Sequence, residues 1–227
     1  MRITALALVA LTLAGSAAAE QKETEKVDRT LAFAPGGTLK LKNFSGDVRI
    51  TGTTANEVVI HAVRTATRDR LDNIKLTGST IEIEANRRSR DWDRHNDNNN
   101  VVDTQLDIQV PAATILDLHS FSGGLTVSAT TADIQAQTFS GDIDLDVSRA
   151  AGLPELKAET FSGDIRTRVP PGGAGRVQFH TFSGDLRSDV PIMLHSRSRK
   201  NISADLGSGS GPTLAFKTFS GDLQLLK

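Results

Sequence analysis

Phe-Ser-Gly occurs six times in this chain, with its phenylalanines at Phe44, Phe121, Phe139, Phe161, Phe182 and Phe219. The glycines are Gly46, Gly123, Gly141, Gly163, Gly184 and Gly221, and the next residue is aspartate in five copies: Asp47, Asp142, Asp164, Asp185 and Asp222. Gly124 replaces it in the other. An aliphatic residue lies five positions before each Phe (Leu39, Leu116, Ile134, Leu156, Val177, Leu214), and a small polar one lies just before it (Asn43, Ser120, Thr138, Thr160, Thr181, Thr218). A template this deep demands a repeated structural unit, and repeats must be recognised before elements are assigned.

Within each copy the apolar period is two, which is a strand signal. The parity changes across the motif, from Leu156, Ala158 and Thr160 to Ile165, Thr167 and Val169. Ser-Gly-Asp supplies the one-residue shift: glycine accepts positive φ at a bend, and aspartate bonds local backbone. Each copy therefore reads as strand, corner, strand with one continuous inward face. The Phe residues are spaced 77, 18, 22, 21 and 37 apart, close to multiples of twenty. A unit of twenty residues cannot bury its own apolar face and must stack on its neighbours. The expected fold is an all-β parallel β-solenoid, a β-helix-like stack of rungs. A seven-stranded sandwich is the alternative, though it does not require a shared template. Val58–Val63 and Ile74–Ile83 read as strands in the first gap, and 201–211 as an extra turn between the last two copies.

Arg2, the apolar stretch from Ile3 to Leu13 and Ala17-Ala18-Ala19 have the order of a secretory leader. The expected organisation is a cleaved signal peptide at 1–19, a flexible segment at 20–29 and one β-solenoid domain at 30–227, with a charged loop at 86–100. The 227 residues contain no cysteine, which removes disulfides, thiolate chemistry and a lipoprotein anchor. Export to the periplasm or the extracellular space as a soluble protein follows, with no stable membrane insertion after signal cleavage. With 26 Lys and Arg against 27 Asp and Glu, the chain lacks the basic excess of a nucleic-acid binder.

Residues from about Thr30 onward resemble a bacterial β-strand-repeat family of unknown function described as adhesin-like and related to autotransporter adhesin head domains. The likeness rests on Leu39–Ile50, on the strand and Val110-Pro111 step leading into Leu116–Val127, and on the Ser-Gly-Asp-aliphatic turns. It implies a parallel β-solenoid in an envelope or surface protein and carries no catalytic residues. Phe before each Ser-Gly departs from the family's usual small or polar residue.

Stacked rungs would form a ladder of Phe121, Phe139, Phe161 and Phe182. By parity these rings oppose the inward face, so an exposed row could serve as a platform for a cell-envelope glycan or protein. Solubility favours the other orientation, with the corner turning the rings inward. The aspartates would repel across rungs unless each is tied to its own turn or shares a cation, and turn stabilisation is the expectation. Trp92, between Asp91 and Asp93 and near Arg90 and Arg94, is the remaining candidate contact, for a partner or for anchoring its own loop. No cofactor or metal is expected, because the five histidines lack ligand spacing. The chain reads as a non-enzymatic binding or structural module. A carbohydrate-active β-helix hydrolase or lyase is the alternative, and a self-associating scaffold the second. Leu223, Leu225 and Leu226 would leave the C-terminal rung uncapped, so a homo-oligomer through that rung's open edge is expected.

Overall fold

A computed structural model describes residues 23–66, 73–77, 80–84, 103–198 and 200–227. The first part of the chain forms β1 (Glu23–Ala32), β2 (Thr38–Ser45), β3 (Val48–Thr53), β4 (Glu57–Ala66), β5 (Asn73–Thr77), β6 (Thr80–Glu84) and β7 (Asp103–Pro111). Strand-corner-strand units follow as β8 (Ile115–Ser122) with β9 (Leu125–Ser128), β10 (Ile134–Ser140) with β11 (Ile143–Asp146), and β12 (Leu156–Ser162) with β13 (Ile165–Arg168). The last part contains β14 (Gly175–Ser183), β15 (Leu186–Ser188), β16 (Ile192–Arg197), β17 (Asn201–Leu206), β18 (Thr213–Ser220) and β19 (Leu223–Leu226). The described residues contain no helix.

Two parallel-rich sheets enclose one core. The nine-stranded sheet runs β1-β4-β7-β3-β9-β11-β13-β19-β15, and the ten-stranded sheet runs β16-β17-β14-β18-β12-β10-β8-β2-β6-β5. Each Phe-Ser-Gly copy gives one strand to each sheet. Equivalent template positions pair in register: Ile134 lies between Leu116 and Leu156, and Ile143 between Leu125 and Ile165. Leu156, Ala158 and Thr160 are buried before the corner, and Ile165, Thr167 and Val169 after it, so the parity change is the turn from one sheet to the other. This parallel pairing separates the fold from an antiparallel sandwich.

The corner keeps the ladder unbroken. Gly163 N–H donates to Ser220 O at 3.1 Å, and Ile165 N–H to Asp222 O at 2.9 Å. In three copies the buried threonine before the Phe ties its rung to the neighbouring corner. Thr160 Oγ1 donates to Gly141 O at 3.1 Å, and Thr218 Oγ1 to Gly163 O at 3.3 Å. Gly163 itself has φ +150° and sits so close to the neighbouring corner that a Cβ would lie 2.6 Å from the carbonyl carbon of Gly141. Only glycine allows the rungs to approach this closely.

Several sequence expectations are corrected. The copy containing Phe219 is inserted between those containing Phe161 and Phe182, since β19 pairs with both β13 and β15 and β18 with both β12 and β14. The C-terminal rung is thus interior and has no open edge for oligomerisation. Residues 201–206 are not an additional parallel turn; β17 pairs antiparallel with β14 and β16, closing that end of the ten-stranded sheet. Of the segment expected to be flexible at 20–29, residues 23–29 belong instead to β1, which pairs antiparallel with β4 along its length. The strands expected at Val58–Val63 and Ile74–Ile83 are present as β4, β5 and β6. The expected leader and the charged loop at 86–100 lie outside the described residues.

Candidate binding surface

On the outer face of the ten-stranded sheet, in-register pairing places all six phenylalanines in one row. Their spatial order is Phe44, Phe121, Phe139, Phe161, Phe219, Phe182, with centroid steps of 4.8–5.2 Å and interplanar angles of 1–6°. The rings point outward, each 45–55% exposed, whereas Phe33, Phe179 and Phe216 are only 2–3% exposed. The inward orientation favoured by solubility is therefore not adopted. The reason lies in the stacking: each interior ring covers both faces with its neighbours, so only ring edges meet solvent and the cost of exposure falls. What remains is a continuous apolar ridge bordered by polar side chains, which is the usual mark of an interaction surface.

Two residues before each Phe, on the same face, stand Lys42, His119, Gln137, Glu159, Lys217 and His180 in spatial order. Near the last three rungs this row and the ridge enclose an open groove of about 510 Å³, lined by Gln137, Glu159, Phe161, His180, Phe182, Lys200, Lys217 and Phe219 among others. Lys200 Nζ lies 4.4 Å from the Phe182 ring centroid and covers the outer face of the terminal ring. A second depression, of about 370 Å³, adjoins it over β14, β17 and β18. The sequence singles out neither Lys200 nor Lys217, because the first comes from the closing hairpin and the second is one outward residue among many.

Beyond the corner the aspartates form a different ladder. Asp142 Oδ1 accepts from Asp164 N–H at 2.9 Å, Asp164 Oδ1 from Asp222 N–H at 2.9 Å, and Asp222 Oδ1 from Asp185 N–H at 2.9 Å. Asp47 Oδ1 accepts likewise from Gly124 N–H at 2.8 Å. Four of the five corner carboxylates, those of Asp47, Asp142, Asp164 and Asp222, are tied to the next rung's corner rather than to their own turn, which corrects the sequence expectation. Arg166 offsets their repulsion, reaching Asp142 at 2.9 Å, Asp164 at 3.2 Å and Asp144 at 3.7 Å. Partial burial pushes the Asp142 carboxyl up, but the Asp164 N–H and the Arg166 guanidinium outweigh it and hold it below its ordinary value of 3.8.

Gly46, Gly123, Gly141, Gly163, Gly184 and Gly221 all occupy corners, where a Cβ would overlap the backbone of a neighbouring chain segment. Trp92, Arg90 and Arg94 lie outside the described residues. Among the described residues no group of three or more His, Asp and Glu side chains could hold a metal ion, and no helix is long and apolar enough to cross a membrane. His61–Asp28, His119–Asp117 and His195–Asp205 are pairs on separate surface patches, and no serine hydroxyl bonds any of these rings among the described residues.

The family model Toastrack DUF4097 matches residues 21–226. No curated protein matches the chain. A solved structure of a putative cell adhesion protein from Clostridium sporogenes ATCC 15579 is similar with a TM-score of 0.62 at 12% identity, covering 88% of this chain and 99% of that one. A putative adhesin from Bacteroides fragilis NCTC 9343 aligns over 89% of this chain and 97% of that one at 11% identity, with a TM-score of 0.35. The likeness to the Clostridium structure is one of fold.

Proposed function

The chain belongs to the Toastrack DUF4097 family, and from that premise we propose that it is an exported, non-catalytic, adhesin-like binding module whose contact surface is the phenylalanine ridge. The observation that carries this reading is the row of six half-exposed rings on one polar sheet face. Stacking accounts for their cohesion, at about 0.5–1.5 kcal/mol per pair beyond area burial. It leaves a long apolar edge in water, where a partner surface would remove it. The partner is a glycan or protein of the cell envelope or a cell surface. Because ring faces are covered, it meets C–H edges rather than stacking on open aromatic planes.

In the same reading, the stack is a β-solenoid of roughly twenty-residue rungs with Phe-Ser-Gly-Asp corners, residues 1–19 are a cleaved leader, and the mature chain is a soluble periplasmic or extracellular protein. The absence of cysteine removes a lipid anchor. Residues 20–227 should capture an envelope fraction or a surface glycan, and a Phe121→Ser/Phe139→Ser variant that keeps its fold should lose at least tenfold in capture. Trp92→Ala, run alongside, reports whether the 86–100 loop contributes. Undiminished capture by the folded ridge variant would overturn the reading. A self-associating scaffold is the second reading, favoured by Met193 and Leu194, 66% and 51% exposed on the edge strand β16. Concentration-dependent association abolished by Met193→Lys/Leu194→Lys would select it.

A further inference from the structure

At the end of the ridge formed by Phe161, Phe219 and Phe182, the groove holds Lys200 and Lys217, and neither ammonium has a carboxylate partner among the described residues. Four arginines elsewhere are engaged: Arg166, Arg168, Arg176 and Arg187 each have an aspartate within 4.0 Å. The groove's one carboxylate, Glu159, is already met by Lys157 at 3.4 Å. A chain with a formal charge of -1 thus presents a locally positive groove.

The apolar wall points the same way. A phenyl ring carries its negative potential on its faces and its positive potential at its edges. Here neighbouring rings cover the faces and Lys200 covers the last one, so the wall turned to the groove is a row of positive edges. Lys200 is held in place by its main chain, its carbonyl accepting from Thr181 N–H at 2.9 Å. His180 Nδ1 bonds Asn201 Oδ1 at 2.5 Å, which fixes the ring at the groove wall and leaves Nε2 for a ligand. Gln137, Glu159 and His180 supply donors and acceptors suited to hydroxyl groups.

We propose that this groove binds an acidic oligosaccharide, with a carboxylate or sulfate between Lys200 and Lys217 and its sugar hydroxyls on Gln137, Glu159 and His180. The proposal rests on the ridge being a binding surface and names the ligand class for one end of it. A volume of about 510 Å³ lies within the roughly 300–1,000 Å³ typical of ligand clefts. Glu159 would repel a polymer charged at every unit, such as a polyphosphate, and tolerates one whose charges are spaced by neutral hydroxylated units.

The test uses residues 20–227 with three probes: a hyaluronate hexasaccharide, chitohexaose as its uncharged counterpart, and inorganic polyphosphate. Hyaluronate should bind at least tenfold more tightly than either control. Lys200→Gln/Lys217→Gln should lower its affinity at least tenfold at unchanged thermal midpoint, and raising salt from about 50 to about 500 mM should weaken it similarly. Equal binding of chitohexaose, or hyaluronate binding indifferent to the lysine changes, would overturn the acidic-ligand assignment. If none of the three probes binds while an envelope fraction is still captured through Phe121 and Phe139, the assignment fails and the binding-module reading stands. If the Phe121→Ser/Phe139→Ser variant also keeps all capture, both fail.

Discussion

Gly163→Ala should damage the fold far more than its size suggests. The added Cβ would lie 2.6 Å from the carbonyl carbon of Gly141, closer still to its oxygen, and 3.1 Å from Asp142 N, where ordinary contacts begin at 3.4 Å. Relief requires the two corners to separate by on the order of 1 Å. That separation strains the Gly141 N–H bond to Ser162 O at 3.0 Å and the Thr160 Oγ1 bond to Gly141 O at 3.1 Å. Overpacking of this kind costs about 1–3 kcal/mol, and alanine at φ +150° adds about 1–3 kcal/mol of backbone strain. The expected loss of about 2–6 kcal/mol is a large part of the roughly 5–15 kcal/mol that holds a domain together. With a urea slope of about 2 kcal/mol/M, the unfolding midpoint should fall by about 1–3 M. Gly152→Ala, with open space around the new methyl, should shift it by less than about 0.25 M. Equal midpoints for Gly163→Ala and wild type would refute close rung packing at the corner.

Deleting residues 213–227 removes β18 and β19 from the middle of the stack, so the truncated chain should lose its cooperative thermal transition; a folded product would contradict the spatial order. Phe139→Ser loses two stacking partners and Phe44→Ser one, so the first should destabilise by about 1 kcal/mol more in chemical denaturation. Asp142 has its folded-state pKa depressed, so its stabilisation is present above the unfolded value and is lost as pH falls through the folded one. Asp142→Asn keeps an oxygen for the Asp164 N–H, and its urea midpoint should therefore fall less than that of wild type between pH 5 and pH 3.

The strand-corner-strand unit was legible because parity and the Ser-Gly-Asp step repeat with every copy. The order of stacking was not: a shared template lets any copy pair with any other, and nothing local to Phe182 or Phe219 says which lies at the end. The antiparallel strands closing the sheets were hidden for a related reason. β17 alternates as a rung strand does, and only its partners show that it runs the other way. The direction of the rings was present in the parity. Solubility argues against it only for an isolated exposed Phe, which costs more than one whose faces are shared with neighbours. Aspartate beside glycine suggests service to its own turn, yet at a spacing of one rung the next corner's N–H proves the nearer donor. The groove lysines come from separate elements and carry no signal in the sequence.

The most direct measurement is hydroxyl-radical footprinting of the phenylalanines in residues 20–227, free and with a captured envelope fraction. In the free protein the six ridge rings should label strongly, and Phe33, Phe179 and Phe216 should serve as buried controls with little labelling. On capture, the ridge rings should be protected together. Weak labelling of the ridge in the free protein, or a ridge equally labelled in the bound state, would contradict the assignment of this row as the contact surface.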